Sequence, residues 1–226
     1  MIPLRDTAPQ RRLPFMNALL VAACAAAFVW EMAAGAQIQE LIHTYALIPT
    51  RFLTVGGRDG FLSLQVWEPL WTSMFLHGSL VHVASNLLFL WIFGGPVEDR
   101  LGHLTYPLFY LAGGSAAGLA HIAANPQSGI PTVGASGAIA AVMGAYCVIH
   151  PRARIVSVIP PFFWFTFQVP ALIYLLFWFT MQVYMGNAAL EGDPASAGVA
   201  WWAHAGGFAF GVLAILFFGA GRSQEK

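Results

Sequence analysis

The sequence predicts an all-α membrane protein, a bundle of six spanning helices with a long interfacial first loop. Composition is the first reason: 58% of the 226 residues are hydrophobic and 9% are charged, against about 25% charged in soluble domains. The second is run length, because the apolar residues gather into stretches near the roughly 20 residues that a helix needs to cross a bilayer. The third is the placement of the basic residues, which gives those stretches a consistent orientation.

Six stretches qualify: 14–34, 77–96, 104–124, 134–150, 162–185 and 199–219. Together they make one domain over 14–219, preceded by a tail at 1–13 and followed by a tail at 220–226. The run from Leu13 to Ala34 is longer than the apolar core of a secretory signal and reads as a retained span. Between the first two spans lies the first loop, 35–76. Pro49, Gly56, Gly57 and Gly60 punctuate it, and Tyr45, Phe52, Phe61, Trp67 and Trp71 place it in the headgroup region.

With six alternating spans, Arg5, Arg11, Arg12, Arg100, Arg152, Arg154, Arg222 and Lys226 fall on one side, and Arg51 and Arg58 on the other. The positive-inside rule then puts both termini in the cytoplasm. The short N-terminus and compact spans lead us to expect a bacterial inner membrane. Ten basic and ten acidic residues cancel, which removes any electrostatic case for nucleic acid. Cys24 and Cys147 sit inside apolar runs and read as small core residues, not as a disulfide. Glu98, Asp99 and Arg100 read as a solvated turn, His77 as interfacial and His121 as a packing histidine.

On this topology spans two, four and six run in the same direction, from outside to inside. Each carries chemistry just inside its outer end: His82 and Asn86, then Ser136, then His204. A serine hydroxyl becomes an effective nucleophile when a base takes its proton, and histidine is the usual base near neutral pH. The oxyanion that follows needs donors placed in advance. His82 and Asn86, four apart on one helix face, can supply them with the Ser136 backbone N–H. The helix start at Gly134–Gly137 adds unpaired N–H groups. Serine alone usually bonds back to its own helix, whereas an ionisable group inside a span is costly and marks function. The joint occurrence carries the argument.

Glycine spacing fits the same picture. Gly207 and Gly211 lie one and two turns past His204, and Gly137, Ala140, Ala141 and Gly144 give span four a small-residue surface. Such surfaces let helices approach closely in lipid, which brings residues 68 positions apart within hydrogen-bond reach.

In combination these segments resemble the rhomboid family of intramembrane serine proteases. The resemblance rests on His77-Gly-Ser-Leu-Val-His82-Val-Ala-Ser-Asn86, Phe93-Gly-Gly-Pro-Val-Glu98-Asp-Arg100-Leu-Gly102, Gly134-Ala-Ser136-Gly137 and Ala203-His204-Ala-Gly-Gly207-xxx-Gly211. It covers roughly residues 65 to 219. It implies a six-helix rhomboid-type bundle with Ser136 as nucleophile and His204 as general base, in a dyad with no third acid. His82 and Asn86 would form the oxyanion hole, with Gly134 and Gly137 as active-site glycines and Gly207 and Gly211 as helix-packing glycines. It also implies a water-filled cavity open to the outer side, with span five and the following loop as a gate.

Two positions depart from the family pattern. Trp67-Glu68-Pro69-Leu70-Trp71 lacks the arginine of a Trp-Arg pair that many relatives carry in the first loop. Ala140 stands where many have an aromatic one turn after the nucleophile, supporting the histidine ring.

The expected activity is therefore endoproteolysis near the outer end of transmembrane helices. The expected partners are transmembrane protein substrates and the lipid bilayer; no cofactor and no metal are expected. The alternative is a non-catalytic rhomboid-like protein that binds membrane-protein clients, which usually lacks the serine or the histidine. A channel would favour inverted repeats, and a zinc protease a His-Glu-xx-His helix; the sequence has neither.

Overall fold

The computed structural model describes residues 1–61, 63–196 and 198–218 and is mostly helical. Chain order is β1 (Ile2–Asp6), α1 (Phe15–Ala33), α2 (Ile38–Tyr45), α3 (Pro49–Asp59), α4 (Leu64–Thr72), α5 (Leu80–Leu101), α6 (Thr105–Ala124), α7 (Ser136–Ile149), β2 (Arg154–Ile159), β3 (Phe162–Pro170), α8 (Ala171–Leu190) and α9 (Trp201–Phe218). The expected tail at 220–226, with Arg222 and Lys226, and the last residue of the 199–219 stretch lie outside the described residues.

α7 is the axis of the molecule, buried without interruption from Gly137 to Cys147. It packs most extensively against α9, then α6 and α5. Small residues allow this. A Cβ on Gly207 would run into the Gly137 carbonyl oxygen, one on Gly144 into the Phe208 carbonyl and one on Gly211 into the Ala141 carbonyl. The two backbones therefore touch over three consecutive turns, the close approach that small-residue seams permit.

By length and composition, α1 and α5 are long and apolar enough to cross a membrane, while α7 and α9 are shorter apolar helices. An all-helical fold does not hold. β1, β2 and β3 form an antiparallel sheet in that order, with Ile2 opposite Val158 and Ile155 opposite Val169. The N-terminal tail thus contributes a strand, and the stretch expected as a helix from 162 starts at Ala171 instead. The reason is local: Arg154–Pro170 is crowded with Val, Ile, Phe and Trp, which favour strands. Proline at 160, 161 and 170 also disfavours helical geometry at the residue before each. Residues 162–170 are as apolar as a helix, so a run-length criterion counts them as span.

The first loop contains α2, α3 and α4. Leu47, Phe52, Val66 and Leu70 form a small core there with Ile122 of α6. Without a Trp-Arg pair, the loop is held by other polar contacts. The Arg51 guanidinium donates to the His43, Thr44 and Ala46 carbonyls at the end of α2. Trp67 Nε1 donates to Phe61 O at 2.7 Å. Glu31, buried near the end of α1, accepts the His77 backbone N–H at 2.9 and 3.0 Å.

One reading of a polar residue is corrected here. Glu98 is not solvated: it is 1% exposed and accepts the backbone N–H groups of Met16 at 3.0 Å and Asn17 at 2.7 Å. A carboxylate at the start of α1 satisfies orphan donors and complements the helix dipole, and His103 Nδ1 also contacts it. His77 is likewise buried within the protein. Glu98→Gln keeps the shape but leaves one oxygen as acceptor, so it is expected to cost about 1–3 kcal/mol. The measurement is the thermal midpoint in detergent; an unchanged midpoint would show that the carboxylate does not hold α1. Cys24 and Cys147 are both buried and free.

Candidate active site

Ser136 is the first residue of α7. Ahead of it Gly134 has φ +130°, a conformation that L side chains rarely adopt. Its N–H donates to Ser73 O at 2.8 Å. A Cβ at Gly134 would lie 2.8 Å from Cε1 and Nε2 of His82, so the missing side chain lets the His82 ring come against the turn that presents Ser136. A Cβ at Gly137 would lie 2.7 Å from Ala117 Cβ, and its absence seats α7 on α6. The loop before Gly134 is tied to the first loop by reciprocal backbone bonds between Leu47 and Thr132 at 3.1 and 2.8 Å.

His204 lies in the first turn of α9. Its Nε2 is 2.7 Å from Ser136 Oγ, a short, well-made contact for a hydroxyl and an imidazole. On the other side of the ring, Nδ1 is 2.8 Å from Oε1 of Gln182. The indole of Trp178 stands with its centroid 5.8 Å from that of the imidazole, at 35°. Trp201 lies edge-on at 6.3 Å. Trp178 and Gln182 are both on α8, one turn apart. Ala140 leaves the ring without an aromatic neighbour from α7, and α8 supplies one.

His82 and Asn86 lie on α5. Ser79 caps that helix by accepting the His82 N–H at 3.2 Å, which fixes the first turn. Asn86 is buried, and among the described residues its Nδ2 has no hydrogen-bond partner. A buried amide donor with no partner is unusual, and its neighbourhood explains it. His82, Asn86, Gly134, Ser136, Trp178 and His204 all line one cavity of about 710 Å³. The structure therefore brings all four predicted polar residues to one cavity, with Gly134 at its wall and Gly207 and Gly211 in the seam below.

His121 lines the same cavity; its ring contacts Thr132 Oγ1 at 3.2 Å and Asn125 Nδ2 at 3.3 Å, tying α6 to the loop before Ser136. Among the described residues no three His, Cys, Asp or Glu side chains gather closely enough to hold a metal ion.

The family model for the rhomboid domain matches residues 63–221. The chain belongs to the rhomboid family. The presenilin-associated rhomboid-like protein of human mitochondria is 34% identical over 101 residues, 44% of this chain and 27% of that protein. The mitochondrial RHOMBOID-like protein 12 of Arabidopsis thaliana is 30% identical over 183 residues, 73% of this chain and 50% of its own length. Rhomboid protease GlpG of Serratia proteamaculans is 44% identical over 91 residues, 40% of this chain and 31% of that protein. This rhomboid chain thus spans half or less of the length of these relatives, which come from both mitochondria and a bacterium.

Proposed function

We propose that this rhomboid chain is an intramembrane serine endopeptidase that hydrolyses peptide bonds in or near the outer end of transmembrane helices. The observation that carries the reading is the 2.7 Å contact between Ser136 Oγ and His204 Nε2 at the wall of a cavity. His204 takes the hydroxyl proton as Oγ bonds to the scissile carbonyl carbon, giving a tetrahedral oxyanion. It then passes that proton to the leaving amine as the C–N bond breaks. In the second half it draws a proton from water as the water oxygen bonds to the acyl carbon, then returns that proton to Ser136 Oγ as the ester C–O bond breaks and the carboxylic acid leaves. Asn86 Nδ2, without a partner among the described residues, and His82 donate to the oxyanion, with the Ser136 N–H at the start of α7.

α1, α5, α6, α7, α8 and α9 are the six spans of this reading. Large apolar side chains are exposed on five of them, among them Val29, Trp91, Leu108, Phe177 and Leu216, a girdle that suits lipid better than water. α7, about 21 Å long at 1.5 Å per residue, falls short of a bilayer core, and its burial on all sides removes the need to match one. The asymmetry of basic residues in the sequence supports a topology with both termini cytoplasmic. The substrates are membrane proteins whose helix unwinds locally at the cut, because a helical peptide bond is shielded and already hydrogen-bonded.

The test is labelling of the purified protein by a fluorophosphonate. Modification of Ser136 in the wild type and none in His204→Ala is the expected result. No labelling of a folded sample would overturn the reading in favour of a client-binding protein. Asn86→Ala is expected to lower kcat by about 10²- to 10³-fold with little change in KM, measured on a single-span reporter substrate. A change confined to KM would move Asn86 to substrate contact.

A further inference from the structure

We propose that Gln182 is a positioning residue for His204: its amide, aligned by α8, fixes the imidazole tautomer that leaves Nε2 free to take the proton of Ser136. The inference rests on the proteolytic reading above and extends the dyad by one hydrogen-bonded member.

Three distances determine the direction of every bond in the chain. Gln182 Nε2 donates to the carbonyl oxygen of Trp178, one turn earlier on α8, at 3.1 Å. A carbonyl can only accept, so the nitrogen of the amide faces Trp178 and Oε1 faces away from it. Oε1 lies 2.8 Å from His204 Nδ1, and this oxygen too can only accept. Nδ1 therefore carries the hydrogen, Nε2 carries the lone pair, and the Ser136 hydroxyl donates to it across 2.7 Å. With the amide reversed, Nε2 would face the imidazole and Oε1 would meet the Trp178 carbonyl, oxygen against oxygen.

Gln182 is 6% exposed, so its amide is held by these partners and little by water. Trp178, Gln182 and Gly186 follow one another at four-residue spacing along the side of α8 that meets α9. Trp202 Nε1 donates to Gly186 O at 3.2 Å, and a Cβ at Gly186 would lie 3.1 Å from the same indole nitrogen. The register of α8 against α9 is set there, one turn from the glutamine. Neutral imidazole divides between two tautomers, and only one can act as base toward Ser136. A dyad with no carboxylate has this much to gain from a neutral acceptor.

The experiment follows inactivation of the full-length protein in detergent by a fluorophosphonate, resolving the maximal rate constant from the concentration for half-maximal rate, in wild type, Gln182→Leu and Gln182→Glu. Gln182→Leu removes the acceptor. Its maximal rate constant is expected to fall about 3- to 10-fold, the factor that corresponds to the net worth of one hydrogen bond, with the half-maximal concentration unchanged. Gln182→Glu keeps an acceptor but charges it, at the cost of the donor to Trp178 O; activity should exceed that of Gln182→Leu, and the acid limb of the pH–rate profile should move up by about one unit or more. A residue that only packs would lower the thermal midpoint without moving that limb. Wild-type inactivation kinetics in Gln182→Leu, or a wild-type acid limb in Gln182→Glu, would overturn the proposal while wild-type labelling at Ser136 left the protease reading standing. No labelling of folded wild type would overturn both.

Discussion

Replacing Ser136 by alanine is expected to reduce cleavage of a single-span reporter by at least about 10³-fold while leaving the thermal midpoint in detergent within a degree or two of wild type. The substitution deletes one oxygen at the start of α7, where the backbone is set by Gly134 and by its bond to Ser73 O, not by the hydroxyl. Stability therefore survives and chemistry does not. His204→Ala is expected to cost about as much, and the double variant little more than either alone, because groups that act as a unit lose their contribution together. Cleavage by Ser136→Ala near the wild-type rate would remove the nucleophile assignment. Additive losses would show that the two side chains act independently, despite the 2.7 Å between them.

The second large effect is structural. Gly211→Val places a branched side chain where a single Cβ would already press on the Ala141 carbonyl oxygen and lie 2.9 Å from Ala145 N. Both obstacles are backbone atoms of the most buried helix, so α9 must withdraw. Overpacking of this kind costs about 1–3 kcal/mol, seen as a lower midpoint in detergent. Because α9 carries His204 two turns from the clash, fluorophosphonate labelling of Ser136 should fall with it. Gly57→Ala is the control. That position lies in the helix Pro49–Asp59 with nothing among the described residues within 4 Å of a Cβ, and alanine there should be neutral or stabilising by up to about 1 kcal/mol. Equal losses in the two variants would mean that glycine content, not the seam, sets stability.

What the sequence made legible follows from periodicity and depth. Ser136, His204, His82 and Asn86 stood out because polar groups at matching positions in apolar runs are costly and need a reason, and the structure gathers them at one cavity. The glycines of the α7–α9 seam were legible for a related reason, since spacing of four on a helix defines a face. The sheet was not: β3 is as apolar as a span, and only proline and aromatic crowding distinguish it. Gln182 and Trp178 were not visible either, because an isolated glutamine or tryptophan in an apolar run carries no pattern. They acquire meaning only once α8 is laid against α9. Glu98 and Glu31 were misjudged or passed over because their partners are backbone N–H groups far along the chain, and a backbone donor leaves no mark in a sequence.

The small sheet also has a temporal side. Ile2 and Val158 pair across 156 positions of chain. At about 5–20 residues per second of synthesis, the first strand waits on the order of 8 to 30 s before its neighbour has even been made. During that interval Ile2 and Leu4 belong to a segment without its strand partner. The sheet can therefore close only after β2 has been made, however early β1 is ready.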